Sequence, residues 1–199
     1  MFRTNELFEK RLGDFYGSPY VISVDCCTHA LELCLRYQQI KYSTCPSRTY
    51  ISIPFTFEKL GIDWQFNPTL WSDYYYLGNT NIIDAAVYWK KDGYIPNTLM
   101  CLSFQFKKHL NLGRGGAILT DDLETYTNLK KMRYDGRTDS GSWMEQNIDT
   151  VGYHYYMTPE TAQLGLDRID SAINSTAKQW SYLDYPNLPD MSVFLNKKH

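Results

Sequence analysis

No apolar run in this chain approaches the length needed to span a bilayer. The opening stretch, MFRTNELFEKRLGDFYG, is polar and amphipathic rather than continuously apolar. Neither a membrane anchor nor a secretory leader is therefore expected, and the chain reads as cytoplasmic. Charge of one sign is also scarce. Twenty Lys and Arg stand against 22 Asp and Glu, a net charge of −2, which gives no electrostatic reason to expect nucleic acid or an anionic membrane as partner. The five cysteines, Cys26, Cys27, Cys34, Cys45 and Cys101, are odd in number, with one adjacent pair and no regular spacing. That argues against a disulfide framework and against a zinc site, so a reducing compartment and no metal are expected. No internal repeat is evident.

What the chain does have is ordinary globular composition with an excess of aromatics. It is 43% hydrophobic and 21% charged over 199 residues, enough for one domain with a sizeable core. Seventeen tyrosines and 16% aromatics suggest an aromatic core or an oligomer interface. Apolar residues at helical spacing predict a helix over 4–16, ended by Gly17, and a second in CCTHALELCLRYQQ with Thr28 near its start. Two more are expected over 123–136 and 158–180, the last opening with a threonine cap and a proline. Strands are expected at YVISVD (20–25), TYISIP (49–54), IDWQFN (62–67), TLMCLSF (98–104) and GGAILT (115–120), while NIIDAAVYW (81–89) is apolar with one acid inside it. Residues 137–152 read as a loop. Strands alternating with helices point to an α/β fold with a mostly parallel sheet flanked by helices, residues 1–180 forming the domain and 181–199 an irregular tail.

Three features carry chemistry. A strand, then CCT, then a helix offers free N–H groups and the Thr28 hydroxyl to a phosphate, although a plain helix cap has the same appearance. Asp84 ends the apolar run NIID, where a carboxylate must be paired or exposed; it is either a solvated strand-end acid or the partner of a protonated ring nitrogen. The segment SFQFKKHLNLGRGG leaves a buried strand with Ser103, Lys107, Lys108 and a glycine turn. A lysine at such a sheet edge can be a Schiff-base nucleophile, or a solvated loop cation.

In this order the motifs resemble those of the DegT/DnrJ/EryC1/StrS family of pyridoxal-phosphate (PLP) sugar aminotransferases, PLP fold type I. CCTHALELCL is similar to the family's phosphate turn and helix, and PFTFEKLGIDWQF to its Pro-x-x-Thr-Phe/Trp segment. DAAVYW is similar to its Asp-Ala-Ala stretch, SFQFKKHL with GRGG to its lysine loop, and GYHYYMTPETAQLGLDRID to its Gly-Tyr-Asn-Tyr segment and helix. Together the segments cover roughly residues 7–170.

The resemblance implies the PLP-transferase large domain, with PLP held as an internal aldimine on Lys108 and Asp84 facing the pyridine nitrogen. Thr28, Ser103 and the Cys27 backbone would hold the phosphate, and Phe57 would stack on the ring. His154 would reach a neighbouring subunit's cofactor. The implied activity moves an amino group from an amino acid such as glutamate to a nucleotide-linked keto sugar, in a homodimer with shared active sites. Lys107 is the main rival for the aldimine. Val87, Cys27, His154 and Gln105 depart from the family pattern, the stretch between Asn67 and Asn81 is short for the strand and helix expected there, and the small C-terminal domain is reduced or absent. A non-catalytic PLP-fold remnant serving as a binding or assembly protein is the alternative, and a PLP reaction on a smaller amine a third possibility.

Overall fold

The computed structural model describes residues 2–195. The elements run α1 (Arg3–Tyr16), β1 (Tyr20–Val24), α2 (Cys27–Tyr37), β2 (Tyr42–Pro46), α3 (Ser52–Leu60), β3 (Asp63–Asn67), β4 (Tyr75–Tyr76), β5 (Ile82–Asp84), β6 (Leu99–Ser103), β7 (Gly116–Thr120), α4 (Leu123–Met132), α5 (Pro159–Ile173) and α6 (Ser192–Leu195). A five-stranded sheet has the order β1-β7-β6-β5-β4, and β2 and β3 form a separate parallel pair joined by α3.

The α/β class stands, but the expectation of a mostly parallel sheet is corrected. Within the five-stranded sheet β5–β6 is the parallel pair, while β1–β7, β7–β6 and β5–β4 are antiparallel. The connections dictate this. A parallel return needs a long crossover, usually a helix, whereas β4 turns into β5 through residues 77–81 and β6 reaches β7 through a helix-free loop.

Both faces of the sheet are covered, which explains why its strands read as continuous apolar runs rather than alternating ones. Side chains nevertheless alternate between two cores. Ile22, Leu99, Cys101 and Ile118 face the layer of α2, α3 and α4. Val21, Met100, Leu102, Ala117 and Leu119 face α1 and α5 with Phe8, Leu12, Phe15 and Ile169. Helices α1 and α5 approach closely at Gly165, where a Cβ would come within 2.5 Å of the Phe8 ring.

Two further expectations change. TYISIP is not a strand: residues 49–51 turn, and Ser52 opens α3 with Pro54 in its first turn, where no intrahelical N–H bond is lost. The last helix stops at Ile173 rather than residue 180. The described part of the tail, to residue 195, forms short 3-10 turns and α6, and it buries Leu188 and Phe194 in the main core. Residues 196–199 of the expected tail lie outside the described residues. Among the described residues no helix is long and apolar enough to cross a membrane.

Candidate active site

Topology brings three strand ends to one edge. β5 and β6 are parallel, so Asp84 and Ser103 end side by side. β1 is two antiparallel steps from β6 and therefore points the same way, delivering Cys26, Cys27 and Thr28 at the start of α2. Ligand sites of open α/β sheets form beyond such carboxyl ends. Gly116 permits the close seating of that turn on β7, since a Cβ there would lie 2.6 Å from the Cys27 nitrogen.

A cavity of about 770 Å³ opens at this edge, lined among others by Cys27, Thr28, Asp84, Ser103, Lys107 and Lys108. Five of the sequence-predicted residues, Cys27, Thr28, Asp84, Ser103 and Lys108, thus share one cavity. Its outer wall comes from the C-terminal segment, through Trp180, Asp184 and Tyr185. A second cavity, of about 670 Å³, lies between α1 and the turn into β1 and holds none of them.

Lys108 and Lys107 separate clearly. Lys107 is exposed, whereas Lys108 is half-buried with its ammonium 5.4 Å from the centre of the Trp180 ring. Burial lowers the basicity of Lys108 below the ordinary lysine value, assisted by Lys107 and opposed by the attraction of Asp84 and Cys27. Asp84 is the complementary case. Burial pushes its carboxyl up, against hydrogen bonds from the Tyr75 hydroxyl and the Ala86 N–H (3.0 Å) and the attraction of Lys108. Thr28 Oγ1 sits 2.9 Å from Ser52 Oγ, which also lines the cavity.

At the cavity mouth Asp25 bridges His29 Nδ1 (2.7 Å) and Arg114 (2.8 Å). Burial opposes the charge on His29, yet the bonds to Asp25 and Cys26 raise its pKa to about 9. The ligand-capable atoms of Asp25, Cys26 and His29 lie within 4.8 Å of one another, with Asp25 bonded to His29 and Arg114.

Two predicted residues are not in the cavity. Phe57 is fully buried between α3 and β3, its ring 6.1 Å from Trp64, so the expectation that it stacks on a bound ring is corrected: it is a core residue. The aromatic that lines the cavity from this stretch is Tyr50, preceded by Thr49. Part of the signal was present, because Pro46-Ser47-Arg48-Thr49-Tyr50 has the Pro-x-x-Thr spacing, with Tyr for Phe/Trp, and begins at the last residue of β2, whereas Pro54-Phe55-Thr56-Phe57 is one residue short. His154 is exposed and bonds Asp135 through Nδ1 at 3.0 Å, away from this chain's own cavity. Tyr75, Trp71 and Trp180, which complete the wall, carried no recognisable motif.

Among solved structures, the fold is that of AtS13 from Actinomadura melliaura (TM-score 0.75, 18% identity), matched over 86% of this chain and 60% of that one. Helicobacter pylori PseC, an aminotransferase involved in the biosynthesis of pseudoaminic acid, matches with a TM-score of 0.70 at 16% identity over 85% of this chain and 58% of PseC. The PLP form of Spr1654 from Streptococcus pneumoniae matches with a TM-score of 0.70 at 18% identity, over 85% of this chain and 59% of that one. The chain therefore spans less than two thirds of the length of these structures. Among curated proteins none matches in sequence. Residues 1–60 and 87–191 match the DegT/DnrJ/EryC1/StrS aminotransferase family, and the chain belongs to that family.

Proposed function

We propose that this chain binds pyridoxal phosphate in the cavity at the carboxyl edge of the sheet and acts as an aminotransferase on a nucleotide-linked keto sugar, with an amino acid such as glutamate as donor. The observation that carries the reading is the convergence of a half-buried, less basic lysine, a buried carboxylate and a helix N-terminus on one cavity. The donor set fits the cofactor at both ends. Cys27 N–H, Thr28 and Ser103 suit a phosphate, and a carboxylate that burial holds against ionisation gains from a cationic ring nitrogen.

Pyridoxal phosphate, when bound, supplies an aldehyde that a primary amine can join and a protonated ring that takes up electrons. Lys108 Nζ supplies that amine in this reading, and its lowered basicity favours the free base needed first for attack and then for moving a proton. Ionised Asp84 holds the proton on the ring nitrogen. Tyr50, on the cavity wall, would lie against the ring, and Trp180 and Tyr185 would exclude water from the Lys108 side. His154, exposed and anchored by Asp135, fits a role in a partner subunit's site within a cytoplasmic homodimer.

A second reading has an observation of its own. The match to the family omits residues 61–86, which include Asp84, and the chain is short against the solved structures. A remnant that keeps the cofactor site without substrate turnover would fit those facts.

Absorbance after adding PLP, then glutamate, separates the readings. The expected result is a visible band fixed by borohydride to Lys108, lost in Lys108→Ala, kept in Lys107→Ala, and bleached by glutamate. A band that glutamate leaves unchanged favours the remnant. Borohydride fixation at Lys107 in Lys108→Ala would overturn the lysine assignment.

A further inference from the structure

We propose that Tyr75 is a positioning residue for Asp84, holding its carboxylate ionised and aimed into the cavity through a relay that begins at Thr49. This rests on the cofactor site described above and adds to it a segment that the family match leaves out, residues 61–86.

The register makes the contact obligatory. β4 is two residues long and pairs with β5 so that Tyr75 stands directly opposite Asp84. Both are buried, at 5% and 6% exposure, and the Tyr75 hydroxyl hydrogen-bonds Asp84 Oδ2. The Ala86 N–H donates to Oδ1 at 3.0 Å. One donor per oxygen fixes the carboxylate plane and leaves a lone pair on each for a third partner.

The direction of the relay follows from proton count. A phenol has one hydrogen, and ionised Asp84 can only accept, so the Tyr75 proton lies toward Asp84. Thr49 Oγ1, within hydrogen-bond reach of the same phenol oxygen, must then be the donor to it. Thr49 precedes Tyr50, so the loop that presents the aromatic to the cavity also orders the carboxylate. A hydrogen bond to a charged acceptor in a buried site is among the stronger kinds, and its loss leaves the ion less stable than its protonated form.

Other ionisable groups face Asp84 from each surrounding element: Lys108 after β6, Cys27 on α2, Cys45 on β2, Cys101 on β6 and Tyr185 in the tail. Burial raises the thiols and the phenol, so they stay neutral in acid, and Lys108 stays cationic there. Asp184 also lines the cavity and Lys108 must lose its proton to join the cofactor, so the acid titration of Asp84 itself is read from the infrared band of its own carboxyl.

The test compares wild type, Tyr75→Phe and Thr49→Val by PLP titration across pH. The Asp84 carboxyl is followed in parallel in cofactor-free protein, by the infrared carboxylic C=O band that Asp84→Asn removes. Phenylalanine keeps the ring, which packs 5.2 Å from Trp71, so packing alone predicts no change in either readout. The proposal expects PLP affinity near neutral pH to fall roughly ten- to hundredfold in Tyr75→Phe. The acid limb of the affinity profile and the infrared titration should both move to higher pH, with Thr49→Val moving them less in the same direction. A folded Tyr75→Phe with wild-type titration and affinity within about twofold of wild type overturns it. If Tyr75→Phe does not fold, an unshifted infrared titration in Thr49→Val overturns it equally. A wild type whose infrared titration responds to Tyr75→Phe but which binds no PLP defeats the cofactor reading and, with it, the positioning role.

Discussion

Two buried acid–base pairs in this molecule are built in opposite ways. Glu9 and Arg133 lie in the core at 5% and 0% exposure and form a direct ion pair. Ser23 completes it, donating its N–H and hydroxyl to Glu9 Oε1 at 2.8 and 2.7 Å and accepting from Arg133 through its carbonyl at 2.7 Å. Asp84 and Lys108 are also removed from water, yet Asp84 takes its hydrogen bonds from Tyr75 and Ala86 while Lys108 lies over Trp180. The first pair puts its charges in direct contact and ties α1 and β1 to the residue that follows α4. The second keeps its charges apart across a cavity, each shifted toward neutrality by burial. A closed pair serves the fold, whereas an open one has capacity left for a ligand.

Substitution should separate stability from binding along that line. Arg133→Met leaves the Glu9 carboxylate buried without its counter-charge, at a cost of about 3–5 kcal/mol. A urea melt should show this as a large loss of midpoint. Lys108→Met should abolish the PLP band with no loss of stability. The sign follows from its lowered pKa: a lysine less basic in the fold than in the unfolded chain stabilises only above its unfolded value, and that contribution is lost as pH falls through the folded one. At neutral pH the fold gains nothing from it. Equal midpoints for Arg133→Met and wild type would break the contrast.

The next contrast is between two aromatics seven positions apart. Phe57, at 0% exposure, should cost about 3–5 kcal/mol as Phe57→Ala and leave PLP affinity in the surviving folded fraction close to wild type. Tyr50 is 58% exposed on the cavity wall. Tyr50→Ala should leave the melt within about 0.5 kcal/mol and weaken PLP binding several-fold. Reversed outcomes would return the stacking role to Phe57.

That pair also shows what the sequence could and could not disclose. Where local pattern decides the structure, as in α1, α2, β1, β6 and β7, elements were legible to within a few residues. So were the five cavity residues, because Asp84 and Ser103 end strands, Cys27 and Thr28 open a helix, and Lys108 lies in the loop that leaves β6. β2 was not, since YSTCP is half polar and gains its identity from pairing with β3 through α3. The Tyr50 and Phe57 alternatives differ by one residue of spacing, and the strand that ends at Pro46 decides between them. β4 was illegible for a stronger reason. Two residues carry no periodicity, and Tyr75 acquires its role from lying opposite Asp84 in the register. The tail likewise has no periodicity, yet Leu188 and Phe194 reach the core, and Trp180, read as the end of the last helix, instead covers Lys108 because of where the chain returns in space.

The smallest effect concerns the cavity mouth, where His29 stacks on Tyr155 at 3.7 Å and bonds Asp25. Its pKa in the fold, about 9, exceeds the ordinary 6.5, so the folded state binds its proton more tightly than the unfolded chain does. The resulting stabilisation is fully present below pH 6.5 and is lost as pH rises through about 9. Partial exposure and screening hold it to about 1 kcal/mol or less, roughly 2–4 °C in Tm for a chain of this size. His29→Gln removes this proton-linked term, so the wild-type Tm should drop further than the variant's between pH 6 and pH 9.5. Parallel curves for the two proteins would mean that Asp25 is held by Arg114 alone, and that the mouth of the cavity is ordered without the imidazolium.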